Sequence, residues 1–148
     1  MTCIFFGHAD APDSIKHNLK KTIIQLINAE GIKAFYVGNN GNFDYYVQGA
    51  LKEIAQTQKD ICYHIVLSHI NEKAINACQD ITIFPEGLEK TLPRFAISKR
   101  NEWLIKNADI VVAYVKYKVS HCYNWAQKAA KKGLKVINIA DTSIGIDM

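Results

Sequence analysis

A turn with two glycines separates a predicted strand from a predicted helix and is the first candidate site in this sequence. The strand is expected over residues 33–37 and the helix over residues 44–59. Gly38 and Gly41 allow the backbone to approach a ligand closely, and the first amides of a helix attract anions, phosphates above all. The candidate ligand-binding residues of this turn are Gly38, Asn39, Asn40, Gly41, Phe43 and Asp44. The alternative is an ordinary connection between strand and helix, because glycine and asparagine are common in turns.

Polar residues also stand beside two other predicted elements. Gly7 and His8 end the first strand. The histidine is a candidate hydrogen-bonding or acid–base group near neutral pH, or a loop residue without a role. Ser120 and His121 open the last long helix, where a phosphate or a ribose would meet free backbone N–H groups. The alternative for Ser120 is a role as N-cap alone.

Two arginines are candidates for bidentate contact with a phosphate or a carboxylate. Arg94 lies in a long connection after Pro93, and Arg100 is followed by Asn101 in a predicted helix. Long connections often carry function. The alternative for each arginine is a surface ion pair, which contributes little to stability.

The cysteines and histidines do not indicate a metal centre. No two of the four cysteines are spaced as Cys-x-x-Cys and the five histidines lack ligand spacing, so we expect neither a metal nor a cofactor. Cys3 and Cys62 lie in predicted strands, which favours buried thiols. Cys122 lies where a helix begins, and a helix N-terminus lowers the pKa of a thiol. Cys122 is therefore either a reactive thiol or an inert lining residue.

Length and composition favour one domain over residues 1–148. Hydrophobic residues make up 49% of the chain, enough for a sizeable core. The net charge of +4 comes from scattered basic residues, so nucleic acid is not an expected partner, although the charge would help to attract a phosphorylated small molecule. No apolar run approaches the roughly 20 residues of a membrane span, and no targeting segment is visible. We therefore expect a cytoplasmic protein without a membrane partner.

Strand and helix patterns alternate along the chain. Strands are predicted over residues 2–7, 33–37, 62–68, 109–114 and 135–139, with a short extended piece over 81–84. Helices are predicted from Asp13 or Ser14 to about residue 30 and over residues 44–59, 71–79, 95–107 and 120–132. This alternation predicts an α/β fold, a Rossmann-like open, mostly parallel sheet with helices on both faces. Such sheets bind ligands beyond the carboxyl ends of the strands, where the strand order reverses.

Six short segments, in a fixed order, resemble a known superfamily. They are Phe5-Phe6-Gly7-His8, residues 35–44, Pro85-Glu86-Gly87, Pro93-Arg94-Phe95-Ala96-Ile97, Arg100-Asn101-Glu102-Trp103 and residues 109–115. Together they resemble the SLOG superfamily, named for the SMF/DprA proteins and the Lonely Guy enzymes, and most of all a small bacterial and phage branch related to YpsA. The resemblance covers roughly residues 2–140.

The resemblance implies a Rossmann-like fold that binds nucleotides or nucleotide-derived molecules and often forms homodimers or higher homo-oligomers. By position, Gly38, Gly41 and Asp44 match the first glycine-rich turn of the family. Arg100 and Asn101 match the Arg-Asn pair on a family helix.

Two segments depart from the family pattern. Ala9 stands where the family often has arginine after Gly-His. Residues 118–122 replace a second glycine-rich turn, which the Lonely Guy phosphoribohydrolases follow with a catalytic glutamate. No acidic residue lies between Asp109 and Asp141, which leaves Glu86 as the one nominated catalytic residue.

Three functions remain open. The favoured one is binding of a nucleotide or nucleotide-derived small molecule through the Gly38–Asp44 turn, as a sensor or, in a phage, as a sponge for a cyclic ADP-ribose-type signal. The second is a nucleotide N-glycosidase or phosphoribohydrolase, whose chemistry needs a carboxylate close to the ribose. The third is a DNA-processing partner, which the lack of a basic patch and of an added domain disfavours.

Overall fold

A six-stranded parallel sheet organises the chain in the computed structural model, which describes residues 1–69 and 81–140. The strands are β1 (Thr2–Gly7), β2 (Ala34–Val37), β3 (Cys62–Val66), β4 (Thr82–Ile83), β5 (Ile110–Tyr114) and β6 (Lys135–Asn138). Their order is β4-β3-β2-β1-β5-β6, and every neighbouring pair runs parallel. The strand order therefore reverses between β1 and β5, in the middle of the sheet.

Four helices cross between these strands in the described part of the chain. They are α1 (Lys16–Glu30), α2 (Asn42–Thr57), α3 (Ala96–Lys106) and α4 (His121–Lys131). Single 3-10 turns occupy Asp13–Ile15, Leu88–Lys90 and Pro93–Phe95. The short helix predicted over residues 71–79 lies outside the described residues.

Alternate residues of the central strands point into two separate cores. Phe5 packs with residues of α1 and α2, such as Leu19 and Leu51, on one face of the sheet. On the opposite face, Phe6 packs with Leu104 of α3 and with apolar residues of α4. All five residues of β5 are buried, as the continuous apolar run predicts for a strand covered on both sides. The predicted fold, an open parallel sheet with helices on both faces, is confirmed.

The ends of the first two helices show how glycine sets the boundaries. Gly31 ends α1 in the left-handed conformation, with φ of 67° and its N–H donated to the Leu26 carbonyl. Asp13 and Ser14 do not cap α1 with their side chains, because a 3-10 turn precedes the helix and Ile15 is its N-cap. Gly41, with φ of 91°, is the N-cap of α2, so α2 begins two residues earlier than predicted.

The prediction that Cys62 is a buried thiol is wrong, because Cys62 is exposed. It is the first residue of β3, and the neighbouring strand β4 pairs only with Ile65 and Val66. The start of β3 therefore lacks a neighbouring strand on that side. In the described part of the chain, no helix is long and apolar enough to cross a membrane.

Candidate functional site

A cavity of about 530 Å³ lies at the carboxyl ends of β1 and β2, beside the point where the strand order reverses. We call it the strand-end cavity. Ten of the residues proposed from the sequence line it: Gly7, His8, Gly38, Asn40, Asp44, Arg94, Arg100, Asn101, Ser120 and His121. The fold thus brings together segments that are separated by up to about a hundred residues, as expected for the carboxyl edge of a parallel sheet.

Arg100 is a buried cation on the wall of the strand-end cavity, with only 3% of its surface exposed. Its Nε donates to Asn101 Oδ1 at 2.8 Å, and its Nη1 donates to the Val66 carbonyl at 3.1 Å. Both acceptors are neutral, and no described acidic side chain forms a direct ion pair with it. Burial lowers the pKa of Arg100, an effect that the charge of Asp44 partly offsets. The guanidinium still remains charged at physiological pH.

The spacing of α3 explains why Arg100 points inward. Ile97, Arg100, Asn101 and Leu104 follow one another at intervals of three and four residues and therefore share a helix face. Leu104 anchors that face in the core, and all four residues line the strand-end cavity. Arg100 is therefore not the surface ion pair that was the alternative for it. Arg94, in contrast, is exposed at the cavity, with its guanidinium 4.9 Å from the centre of the Phe95 ring.

Asp44 lies in the first turn of α2 and is also buried. Its Oδ2 accepts a hydrogen bond of 3.0 Å from the Asn40 amide. Burial raises the pKa of Asp44 to about 6, although the charge of Arg100 and the bond from Asn40 lower it. The carboxyl group thus changes charge close to physiological pH.

Two backbone amides of the Gly38–Asp44 turn already donate hydrogen bonds to other groups of the protein. Asn40 donates its N–H to Asp44, and Asn42 donates its N–H to the Ala9 carbonyl at 2.8 Å. Asp44 therefore places a negative charge at the N-terminus of α2, where the sequence pattern suggested a ligand phosphate. The positive charge in this part of the cavity comes from Arg100 instead.

His8 connects three segments at one corner of the strand-end cavity. The Lys116 amide donates to His8 Nε2 at 2.8 Å, so the neutral ring carries its proton on Nδ1, which lies 3.2 Å from Cys122 Sγ. Burial lowers the pKa of His8, and the charge of Asp10 offsets this only in part. With both ring nitrogens engaged, His8 positions the start of α4 and is not free to act as a general base.

Cys122 does not have the environment of a reactive thiol. It is buried, and burial raises the pKa of its thiol, although the hydrogen bond with Ser120 lowers it. The proximity of a helix N-terminus is thus outweighed by desolvation. Ser120 is the N-cap of α4, because its Oγ accepts the Tyr123 amide at 3.2 Å.

Four residues proposed from the sequence do not line the strand-end cavity: Asn39, Gly41, Phe43 and Glu86. Phe43 is fully buried beneath Gly7, where a β-carbon on Gly7 would lie 2.3 Å from the Phe43 ring. The Oδ1 atom of Asn39 is buried and has no hydrogen-bond partner in the described part of the chain. Glu86 is exposed in the connection that follows β4. No described group of three or more His, Cys, Asp or Glu side chains is arranged to hold a metal ion.

The apolar wall of the strand-end cavity was not predicted from the sequence. Its aromatic members are Phe5, Phe6 and Trp125, with the Phe6 and Trp125 rings 6.2 Å apart. No described tyrosine lines it. The helical spacing between His121 and Trp125 is the signal that would have revealed Trp125, because residues four apart share a helix face.

A second cavity, of about 650 Å³, lies at the opposite end of the strands. It is lined by residues of α3 and α4 together with Ala108 and Leu134, which precede β5 and β6. Its charged residues are Glu102, Lys106, Lys128 and Lys132, and all four are exposed. It contains none of the residues proposed from the sequence and no buried charge, so the strand-end cavity is the candidate site despite its smaller volume.

Comparison with known proteins extends the description of the fold. No protein-family model and no curated protein sequence matches the chain. Among solved structures, DNA processing protein A (DprA) from Streptococcus pneumoniae is similar, with a TM-score of 0.69 and 17% sequence identity. The match covers 97% of this chain and 51% of DprA, so the chain spans about half of that protein. The chain therefore has an α/β fold like that of the matched half of DprA.

Proposed function

We propose that the chain binds a nucleotide or nucleotide-derived small molecule in the strand-end cavity and releases it unchanged. The observation that carries this proposal is Arg100, a buried guanidinium that faces the cavity and whose two protein acceptors are both neutral. A buried charge without a direct ion pair is costly, and the nearby charge of Asp44 offsets the burial of Arg100 only in part. A bound anion would supply a direct partner, and phosphate suits the planar guanidinium well.

The shape and lining of the strand-end cavity support the same class of ligand. Its volume of about 530 Å³ falls within the usual range for small-molecule sites. Phe6 and Trp125 offer an apolar and aromatic wall to a base, while Arg94 adds a second positive charge at the cavity. Gly38 keeps the backbone beside Arg100 free of a side chain.

A nucleotide N-glycosidase is the second candidate, and Asp44 is the observation that favours it. Such a reaction needs a carboxylate near the ribose. Glu86 does not line the strand-end cavity, whereas Asp44 does, with a pKa raised by burial to about 6. If the chain has this activity, Asp44 and not Glu86 is the residue to test.

One experiment distinguishes the two candidates. Purified protein is incubated with AMP, NAD, ADP-ribose and cyclic ADP-ribose isomers, and the melting temperature and the products are measured, the latter by mass spectrometry. For a ligand at a hundredfold excess over Kd, binding stabilises the protein by about 2.7 kcal/mol, or roughly 5–10 °C. A binder returns the ligand intact, whereas release of free base identifies a hydrolase. If no member of the panel changes the melting temperature, the proposal is wrong.

Substitutions in α3 and in the 3-10 turn before it test whether the ligand binds in the strand-end cavity. Arg100→Lys keeps the charge but loses the two hydrogen bonds and the planar fork, so we expect ligand affinity to fall about tenfold or more. Lys99→Ala is the matched control, because Lys99 is exposed on the same helix and does not line the cavity. Arg94→Ala removes an exposed charge at the cavity and tests the site even if Arg100→Lys does not fold. Unchanged affinity in both arginine variants would place the site elsewhere.

A further inference from the structure

Two opposite charges flank Gly38 on the wall of the strand-end cavity. A β-carbon on Gly38 would lie 2.5 Å from Arg100 Nη1 and 2.7 Å from Asp44 Oδ2. Both side chains are buried and both line the cavity. They do not form a direct ion pair, so each remains available to a different part of one ligand.

Each of the two side chains has an atom that no described residue engages. Arg100 uses Nε and Nη1 for Asn101 and Val66, which leaves Nη2 as a donor. Asp44 uses Oδ2 for the Asn40 amide, which leaves Oδ1 as an acceptor. The wall beside Gly38 therefore offers a donor that cannot accept and, in the ionised carboxylate, an acceptor that cannot donate.

The presence of both Arg100 and Asp44 in the wall beside Gly38 disfavours the binding of a bare phosphate or pyrophosphate. Such an anion carries acceptor oxygens, which suit Arg100 but meet the carboxylate of Asp44 with like-charge repulsion. A phosphorylated ribose satisfies both groups, because its phosphate accepts and its hydroxyls donate. An acidic side chain that accepts from a ribose hydroxyl is a known solution in nucleotide-binding α/β folds.

Resting on the proposed function, we infer that the site selects ribonucleotides by their sugar. The phosphate accepts from Arg100, and a ribose hydroxyl donates to Asp44 Oδ1. The site therefore rejects deoxynucleotides and inorganic phosphates. A bound deoxy ligand would cover Asp44 Oδ1 without donating a hydrogen bond to it, and an acceptor left unpaired in this way makes discrimination between polar ligands strong.

The inference is tested by calorimetric titration of the wild-type chain with AMP, 2′-deoxy-AMP, 3′-deoxy-AMP and inorganic pyrophosphate. We expect AMP to bind about tenfold or more tightly than at least one deoxy analogue and than pyrophosphate. The weaker of the two deoxy analogues identifies the hydroxyl that meets Asp44. This comparison needs no variant, so it stands even if a substituted protein does not fold.

Asp44→Asn and Asp10→Asn form a matched pair of variants for the same titrations. In Asp44→Asn the side-chain oxygen still accepts from the Asn40 amide, but the negative charge is lost. We expect the preference for AMP over the deoxy analogue to shrink to about threefold or less and pyrophosphate affinity to rise. Asp10 is exposed and does not line the cavity, so Asp10→Asn should keep the wild-type preference.

The titrations distinguish an error about sugar selection from an error about nucleotide binding. If wild-type protein binds AMP and both deoxy analogues equally, sugar selection is wrong while nucleotide binding stands. If Asp44→Asn weakens all ligands alike, Asp44 only stabilises the turn and the inference is also wrong. If the whole nucleotide panel fails to bind, the proposed function itself fails.

Discussion

Asp44 couples the stability of the fold to pH. Burial raises its pKa to about 6 from an ordinary value of 3.8. The folded protein therefore binds this proton more tightly than the unfolded chain does, so the contribution of Asp44 is most favourable at acid pH. This contribution is lost as the pH rises through about 6.

Comparison with Asp44→Asn isolates this effect from other titrating groups, including His8. Relative to the variant, wild-type stability should fall by up to about 3 kcal/mol between pH 4 and pH 7. Urea unfolding of both proteins at several pH values in this range measures the difference. A difference that stays constant would show that Asp44 has the same pKa in the folded protein as in the unfolded chain, which would contradict the shift caused by burial.

The cysteines should differ sharply in reactivity. Cys62 is exposed, whereas Cys3 and Cys122 are buried with pKa values raised by that burial. Because the thiolate is the reactive form, native protein treated with iodoacetamide should be modified at Cys62 well before Cys122. Peptide mass spectrometry after timed quenching measures both sites. Rapid labelling of Cys122 would contradict the buried environment and revive the reactive thiol as an interpretation.

In the connection between β2 and α2, a substitution of Gly38 should affect ligand binding more than it affects the stability of the fold. The three atoms nearest to a β-carbon there belong to the ends of the Arg100 and Asp44 side chains, and Gly38 does not have a positive φ. Gly38→Ala should therefore displace both charges and weaken AMP binding about tenfold or more, while it lowers the free energy of unfolding by about 1–3 kcal/mol.

Gly49→Ala in α2 is the matched control for Gly38→Ala. A β-carbon at Gly49 has no neighbour within 4 Å, so alanine should raise the free energy of unfolding by about 0.5–1 kcal/mol and leave binding unchanged. Urea unfolding and AMP titration of both variants provide the comparison. If Gly38→Ala binds AMP as tightly as Gly49→Ala does, the wall beside Gly38 is not part of the site.

The sequence predicts the elements well because each of them carries a local signal. Apolar periodicity identifies the helices and the fully buried β5, and Gly31 ends α1 as expected. Where the prediction of a buried Cys62 fails, the determining contact is remote in sequence. Cys62 is exposed because β4 is too short to cover the start of β3, and nothing near Cys62 in the sequence encodes that.

In the site, too, the features that short sequence motifs encode could be predicted, whereas contacts between distant segments could not. The glycine turn and the Arg-Asn pair can be recognised in the sequence, and the parallel topology predicts that strand ends meet. The buried guanidinium of Arg100 donates to the Val66 carbonyl, which lies at the end of β3. The engagement of His8 likewise depends on Lys116 and Cys122, more than a hundred residues further along the chain. Pattern alone therefore identifies candidate residues but not their partners.

At the scale of the whole molecule, the two cavities lie at opposite ends of the sheet. The strand-end cavity contains the buried charges of Arg100 and Asp44. The larger one, beside Lys106, Lys128 and Lys132, has exposed lysines instead. A phosphorylated ligand has an electrostatic reason to approach either cavity, but only the first combines a desolvated cation with an aromatic wall.

Nucleotide binding in the strand-end cavity is tested most directly by a crystal structure of the protein with AMP at saturating concentration. We expect AMP in the strand-end cavity, with a phosphate oxygen within about 3.2 Å of an Arg100 nitrogen and the base against Trp125 or Phe6. AMP bound beside Lys128 and Lys132, with the strand-end cavity free of AMP, would show that the proposed binding site is wrong.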